Sequence, residues 1–437
     1  MPLWHVSNKR VRRFNLRTHI IVAMNYAAAV RWLGKLPTPR QWNLERMRRL
    51  CAFADAAPPK NVVHVTGTNG KGSVAAMIAA SLPGKVGLYT SPHLVTVRER
   101  VRINGNLVDE KTFAAAVSAV ADAVKKMRET PSYFEVLTAV AFRVFQEEKT
   151  DWAVLEVGLG GRLDATNVAD GRVAVITNVG LEHTELLGKI VHEIAKEKAG
   201  IIKKGCVVVT SCDGRPLREI DTKARREHAR IIALGKQFEI ANVKVREDGT
   251  SFEILTRGGR IPLKTRLIGS FQARNAALAA VALRELGFDW HVIREGLSKA
   301  RWEGRMDLRD GILLDGCHNY DGAVAMREAL AELWPGARYT MVFGVMKDKN
   351  WRAMIAMLAP IADVFVATQP KLERSLDAKL IAKEAKNYCG DVFAVRDVRA
   401  AVEFAKKKSK GKKIVACGSL YLVGEALSAR VELEEKR

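Results

Sequence analysis

From about residue 61 onward the chain alternates short apolar runs with stretches whose apolar residues recur every three or four positions. An apolar run of four to eight residues closed by turn residues predicts a buried strand, and the longer period predicts an amphipathic helix. Strands are therefore predicted over 61–66, 86–89, 152–157, 173–177 and 207–210, with a small-residue helix over 73–82 and another over 134–145. These strands are apolar throughout rather than on alternate positions, which predicts a mostly parallel sheet covered by helices on both faces.

The rhythm breaks over 238–268, where 251–256 and 261–267 alternate around Gly258-Gly259 and predict a small antiparallel β patch. An Ala-rich helix follows over 272–286, and the polar crossing 299–304 is the expected domain boundary. Beyond it, runs at 312–314, 340–343, 364–367, 392–395 and 414–416, with amphipathic helices between most of them, predict a smaller α/β C-terminal domain. The expected fold class is α/β, divided into an N-terminal extension 1–23, a central domain 24–304 and a C-terminal domain 305–437. No repeat of fixed period and no long low-complexity segment is present, so function is expected in sites.

Composition narrows the class. With 437 residues, 48% of them apolar, the chain can bury two or three ordinary cores. Nothing approaches the roughly 18 uninterrupted apolar residues of a membrane span, and the start has no compact apolar segment followed by a small-residue cleavage site. A cytoplasmic protein is expected. The six cysteines, Cys51, Cys206, Cys212, Cys317, Cys389 and Cys417, form no CxxC pair, so reduced and mostly buried thiols are expected.

The formal charge of +23 suits either nucleic acid or anionic small substrates. Eleven Lys or Arg against the single acid Glu45 crowd residues 1–50, and six more lysines fall within 406–413. Neither patch interleaves aromatics with base-reading side chains, so a solvated basic face is the expected reading and nucleic acid is not the expected partner.

Candidate chemistry begins where the first strand ends. In Gly67-Thr68-Asn69-Gly70-Lys71-Gly72-Ser73 the glycines let backbone amides converge on one point, and the following helix adds its positive end. Lys71 is placed to reach terminal phosphates, and the Ser73 hydroxyl to meet a bridging magnesium ion. The common GxxxxGK[ST] pattern fails, because Gly72 separates Lys71 from Ser73; the loop belongs to a narrower class.

Further candidates follow other strands. Glu156 closes the 152–157 run ahead of Val157-Gly158-Leu159-Gly160-Gly161, at the strand end where ligands of open α/β sheets bind and where a carboxylate can hold magnesium. His183 ends Asn178-Val179-Gly180-Leu181-Glu182-His183; alone it reads as a hydrogen-bonded structural histidine, since magnesium prefers oxygen. Lys198 reads by default as a solvated lysine near a helix C-terminus. Arg305 can clamp phosphate, and Asp315 and His318 admit two readings, positioning of a nucleotide or reacting carboxylate, or a turn held by its own side chains.

These blocks, in this order, resemble the folylpolyglutamate synthase and dihydrofolate synthase family within the Mur ligase superfamily. The resemblance runs from Met24 to Tyr421 and includes Thr90-Ser91-Pro92-His93-Leu94, Tyr133-Phe134-Glu135, Lys198-Ala199-Gly200-Ile201, Phe271-Gln272-Ala273-Arg274-Asn275, Asp315-Gly316-Cys317-His318-Asn319, Met346-Lys347-Asp348-Lys349 and Gly418-Ser419-Leu420-Tyr421. It departs at Cys317, where the family usually has alanine, and at Tyr320, where it commonly has proline.

The resemblance implies a Mur ligase-like ATP-binding central domain and a C-terminal ligase domain. By it, Ser73 and Glu156 hold one magnesium ion, and Glu156, His183 and a carbamylated Lys198 a second; a carbamate turns the lysine cation into an oxygen-donor anion that a hard metal accepts. Gly67, Thr68, Asn69, Gly70, Lys71, Gly72 and Ser73, with Asn275, Arg305, Asp315 and His318, serve ATP; Lys71, Glu156, His183 and Lys198 carry the catalysis. Ser91, Pro92, His93, Leu94, Phe134, Asp164 and Ala165 are the implied pterin-binding positions.

The implied activity is ATP-dependent addition of glutamate to dihydropteroate, to folates, or to both, through an acyl phosphate, by a monomer using small-molecule substrates and no membrane. The rival readings are another Mur-type amino-acid ligase and a basic P-loop ATPase stimulated by nucleic acid.

Overall fold

The computed structural model describes residues 24–38 and 42–434, so the expected basic extension 1–23 lies outside the described residues. Eight strands form the large sheet: β1 (Val62–Thr66), β2 (Val86–Tyr89), β3 (Val101–Ile103), β4 (Asn106–Leu107), β5 (Trp152–Glu156), β6 (Gly171–Ile176), β7 (Val207–Thr210) and β8 (Arg230–Ala233). Their order is β4-β3-β2-β5-β1-β6-β7-β8, parallel from β2 to β8, with β3 and β4 antiparallel at one edge.

Every residue of β1 and β2 is buried, because helices cover both faces. The helices Leu44–Ala54, Glu110–Val124 and Tyr133–Glu147 pack one core around Met47, Phe113 and Phe142. The helices Lys71–Ser81 and Ser270–Glu285 pack another around Val63, Met77 and Leu278. Continuous apolar strands are the sequence image of this double burial.

Three antiparallel strands, β9 (Glu239–Arg246), β10 (Gly249–Thr256) and β11 (Gly259–Thr265), lie in the order β11-β10-β9. Phe252, Ile254 and Leu263 turn into the core shared with Ser270–Glu285. The antiparallel patch has one strand more than its two alternating segments, since β9 is mostly exposed and lacks a clean apolar alternation.

After the helix Trp290–Lys299 the chain crosses to a second sheet: β12 (Asp307–Arg309), β13 (Ile312–Asp315), β14 (Tyr339–Phe343), β15 (Ala362–Ala367), β16 (Asp391–Ala394) and β17 (Ile414–Cys417). Its order is β12-β13-β17-β14-β15-β16, parallel except for β12. All six cysteines are buried and free. Among the described residues no helix is long and apolar enough to cross a membrane.

One polar contact fixes the helix that backs the large sheet. Ser132 caps Tyr133–Glu147 through a capping box, its hydroxyl accepting from the Glu135 amide while Glu135 Oε2 accepts from the Ser132 amide at 2.8 Å. Glu135 also accepts from Arg46 Nε at 2.9 Å, with both side chains about nine-tenths buried. Removing the carboxylate takes away the buried partner of the guanidinium, which keeps the exposed Glu129 at 3.6 Å. Glu135→Ala is expected to lower the unfolding free energy by about 3 kcal/mol, read as a lower urea midpoint at unchanged slope. Adding Arg46→Met to it is expected to recover part of the loss; a further, fully additive loss would contradict the pairing.

Candidate active site

The site forms where the carboxyl ends of β2, β5, β1 and β6 lie side by side, the ligand position of open α/β sheets. Between β1 and the helix Lys71–Ser81 the chain turns in four residues, 67–70. Gly67 has φ +151°, and a β-carbon there would fall 1.8 Å from Thr177 Oγ1. The turn is pinned to the end of β6: the Thr68 amide donates to Asn178 O at 3.0 Å, the Asn69 amide to Asn178 Oδ1 at 2.9 Å, and Thr177 Oγ1 to Asn69 O at 2.6 Å. No side chain caps the helix and no acid stands in its first turn, so its positive end is left to a ligand.

The inserted Gly72 has a packing reason. A β-carbon there would lie 2.8 Å from Trp302 Nε1, so the crossing between the two sheets rests directly on the loop's helix. Trp302 carries no sequence signal of this contact.

Two lysines share one carbonyl. Lys71 Nζ donates to Gly67 O at 3.1 Å and Thr68 O at 2.9 Å; Lys198 Nζ donates to the same Gly67 O at 2.7 Å. The solvated reading of Lys198 is overturned: the residue is 4% exposed. The Gly160-Gly161 turn explains it, because the Gly161 backbone packs against the Glu197 and Lys198 carbonyls and seats the end of the helix Val191–Ala199 under the phosphate loop. Burial, then the charge of Lys71, pushes the Lys198 ammonium down to about 7.

Glu156 ends β5, nearly fully buried, and its Oε2 accepts from the Ser91 amide at 2.9 Å. Burial raises its carboxyl above the usual range, against the pull of Lys71 and that amide. Ser73 Oγ accepts from Gln272 Nε2 at 3.4 Å, and Gln272 Oε1 accepts from Asn275 Nδ2 at 2.9 Å. Gln272 was not among the expected site residues; its spacing of three from Asn275 puts both on one helix face, and that was the available signal.

The second sheet supplies the opposite wall. Asp315 accepts from the amides of Met306 and Cys317, each at 2.8 Å, and burial raises its carboxyl against the nearby Arg305 charge. Arg305 donates to Gly316 O at 3.3 Å. His318 faces two acceptors, Gly316 O at 3.0 Å from Nδ1 and Glu182 Oε1 at 3.1 Å from Nε2, so both bonds form fully when both nitrogens carry protons. Glu182 is a second residue that sequence reasoning passed over. Burial pushes its carboxyl up, but the His318 hydrogen bond and the charges of Lys71, His318 and His183 together hold it well below the usual carboxylate range. His183, at φ +51°, lines the same cavity; burial lowers its imidazole, and Glu182 opposes that.

One cavity of about 440 Å³ joins the loop 67–73, Glu156, His183, Lys198, Asn275, Arg305, Asp315 and His318. Ser91 and Pro92 reach it too, while Leu94 lines the space beside it. The remaining pterin positions stand back from it. Phe134 packs on the Gly158 backbone and on Tyr89, and His93 Nδ1 accepts from Arg100 Nε at 3.0 Å. Asp164 accepts from the amides of Gly158, Leu159 and Thr166, each at 3.0 Å, and so shapes the glycine turn; Ala165 is buried behind it.

The donor set at the loop, a hydroxyl and a carboxylate, is the hard oxygen chemistry magnesium takes. Among the described residues no group of three His, Cys, Asp or Glu gathers to hold a metal. Of the expected second set, Glu156 and His183 are of residue types that ligate metals, whereas a protonated Lys198 offers a metal no lone pair.

Comparisons with known proteins agree with this geometry. Residues 65–283 match the Mur ligase middle domain, and residues 304–420 match the Mur ligase glutamate ligase domain. The dihydrofolate synthase/folylpolyglutamate synthase of Bacillus subtilis is 34% identical over 92% of this chain and 98% of its own length. The crystal structure of folylpolyglutamate synthase from Thermotoga maritima superposes with a TM-score of 0.83 at 32% identity, covering 92% of this chain and 96% of that one. E. coli FolC in complex with DHPP and ADP superposes with a TM-score of 0.85 at 27% identity, covering 94% and 99%. The chain belongs to the folylpolyglutamate synthase and dihydrofolate synthase family of the Mur ligases.

Proposed function

We propose that this protein is an ATP-dependent ligase that joins the amine of L-glutamate to the carboxylate of a pterin acid, dihydropteroate, a reduced folate or both, and releases ADP and phosphate. The observation that carries the reading is the single cavity in which an uncapped helix end, Lys71 and Glu156 face Arg305, Asp315 and His318 of the second sheet. ADP and DHPP in the E. coli relative and the glutamate ligase domain match support the same substrates.

The chemistry runs in two balanced steps. A carboxylate oxygen of the acid attacks the γ-phosphorus, the bond to ADP breaks, and an acyl phosphate remains. The glutamate amine then attacks the acyl carbon, phosphate leaves, and the ammonium proton passes to solvent.

The amides of residues 67–73 and the Lys71 ammonium hold the phosphates and stabilise charge on the transferring group. Asn275, beside the loop at Gly70, and Arg305, Asp315 and His318, from across the cavity, position the nucleotide. Ser73 and Glu156 would hold one magnesium ion, and Glu156, His183 and a carbamylated Lys198 would hold a second; magnesium, when bound, would supply positive charge against that of the phosphates. Burial favours the uncharged Lys198 amine, the form that adds carbon dioxide with loss of a proton. The pterin is held by Ser91, Pro92, His93, Leu94, Phe134, Asp164 and Ala165. The protein works as a cytoplasmic monomer with residues 24–304 and 305–437 as its two domains.

Incubation with ATP, glutamate and either dihydropteroate or a reduced folate, followed by mass spectrometry, is expected to show one glutamyl unit added per ATP consumed. No mass gain on any pterin acid would sink the reading. Chelation of magnesium is expected to stop turnover and its return to restore it.

Lys71→Ala and Glu156→Ala are each expected to lower kcat at least about a hundredfold; full activity in the Glu156 variant would remove it from the metal site. Lys198→Ala is expected to lose ligation and to regain part of it with a short-chain carboxylic acid. Gln272→Ala, which frees the Ser73 hydroxyl, is expected to weaken ATP use by about tenfold in kcat/KM without changing the KM for the pterin acid.

A further inference from the structure

His64 sits at the middle of β1, the strand that leads into the phosphate loop, and is wholly buried. A polar ring there costs free energy unless its nitrogens are bonded. Its Nε2 lies 2.8 Å from Thr166 Oγ1. The Thr166 hydroxyl in turn donates to Asp164 Oδ1 at 2.5 Å, and the same oxygen accepts from the Thr166 amide at 3.0 Å. Asp164 Oδ2 accepts from the amides of Gly158 and Leu159, each at 3.0 Å. Among the described residues His64 Nδ1 has no hydrogen-bond partner.

The protons available give this relay one direction. Asp164 has two donors on each oxygen, the pattern of an ionised, acceptor-only carboxylate. Burial raises that carboxyl, and the four donors oppose it. The single Thr166 hydroxyl proton goes to Asp164, so the hydroxyl oxygen is left to accept from His64. Nε2 therefore carries the ring proton and Nδ1 is bare. The other tautomer would bury an unmet N–H at Nδ1 and set two acceptors against one hydroxyl proton. Burial, then the charge of Lys203, pushes the imidazole down to about 3, so one proton is all that the ring holds near neutral pH.

A second tie leaves the same strand. Thr66, two residues on and on the same face of β1, donates to Gly160 O at 2.7 Å. Gly158, Leu159 and Gly160 line the phosphate-loop cavity, and Phe134 packs on the Gly158 backbone. Thus β1 holds this turn twice, through Thr66 directly and through His64 by way of Thr166 and Asp164. The phosphate loop is fixed separately, on Thr177 and Asn178 at the end of β6. His64 is not part of the cavity lining.

We infer that His64 is a positioning residue for the acceptor, which through Thr166 and Asp164 keeps the turn 158–160 in the shape that receives the pterin acid. The inference rests on the ligase reading above, and it gives His64 no contact with substrate. Without the His64 donor the Thr166 hydroxyl is free to rotate, Asp164 loses a fixed partner, and the amides of Gly158 and Leu159 lose a fixed anchor. The phosphate loop keeps its own ties, so the loss falls on the acceptor side.

His64→Phe, which keeps a ring and removes the donor, is expected to raise KM for dihydropteroate at least about tenfold, with kcat and KM for ATP within about threefold. Thr166→Val, which breaks the next link, is expected to do the same, and the double variant no more than either single one. His64→Gln, whose side-chain amide offers an N–H at similar reach, is expected to recover most of the native KM. A Gln variant no better than the Phe variant, a native KM in the Phe variant, an equal rise for ATP, or additive losses in the double variant would each overturn the inference. The second arm is nitrogen-15 NMR of the histidine-labelled full chain, with His64 assigned by the signal that the Gln variant lacks. At neutral pH the ring is expected to be neutral and protonated at Nε2; a proton on Nδ1 would break the relay and overturn the inference. Absence of ligation on any pterin acid would instead overturn the ligase reading, and the NMR arm reads the relay independently of it.

Discussion

The Gly67 carbonyl oxygen, shared by the ammonium groups of Lys71 and Lys198, is the contact on which the site depends. Two cations on one acceptor repel, and the repulsion is strong because Lys198 is buried. The N-terminus of Lys71–Ser81 adds further positive potential, and Arg305 faces the same space. Glu182 is held in its charged form by its His318 hydrogen bond and by the charges of Lys71, His318 and His183. Two lysines and an uncapped helix end converging on one loop offer an anion with several oxygens its contacts there, and a carbamate on Lys198 would relieve the same repulsion from within.

That contact also explains why some of the site could be read from sequence and some could not. The loop 67–73 and Glu156 each lie within one short segment at the end of a strand, so residue type and spacing carry their chemistry. Lys198 reaches Gly67 across 131 positions, and its burial comes from the fit of Gly161 against the last turn of Val191–Ala199. No local pattern encodes that fit, and the default for a lysine late in a helix points the wrong way. Glu182, Gln272 and Trp302 are of the same kind, each defined by a partner far along the chain.

The fold divides along the same line. Strands buried on both faces, such as β1, β2 and β14, were legible as continuous apolar runs. Besides the three-residue β3, which lies between β4 and β2, the segments that escaped are edges: β4, wholly exposed, β8 at the far side of the large sheet, β9 and the three-residue β12. An edge strand is held by one neighbour's hydrogen bonds more than by burial, and hydrogen bonds leave little trace in the apolar pattern. Asp164, a position given by the resemblance alone, has in addition a local task that its residue type did not announce, since its oxygens accept three amides of the turn that it shapes.

The two sheets meet at the cavity through polar groups. Asn69 and Asn319 exchange hydrogen bonds at 3.1 and 3.5 Å, His318 reaches Glu182 at 3.1 Å, and Asn319 donates to the same carboxylate oxygen at 3.3 Å. These groups are partly solvated, so each contact contributes about 1 kcal/mol or less to holding the sheets together. A ligand that touches the loop on one side and Arg305 on the other therefore adds an energy comparable to that of the native contacts. It favours the arrangement in which both walls are in place, the one in which Lys71, Glu156 and Arg305 line one cavity. Apolar contacts beside the cavity, with Ile268 and Phe271 packed into the core of the second sheet, hold the halves together more firmly than these polar ones.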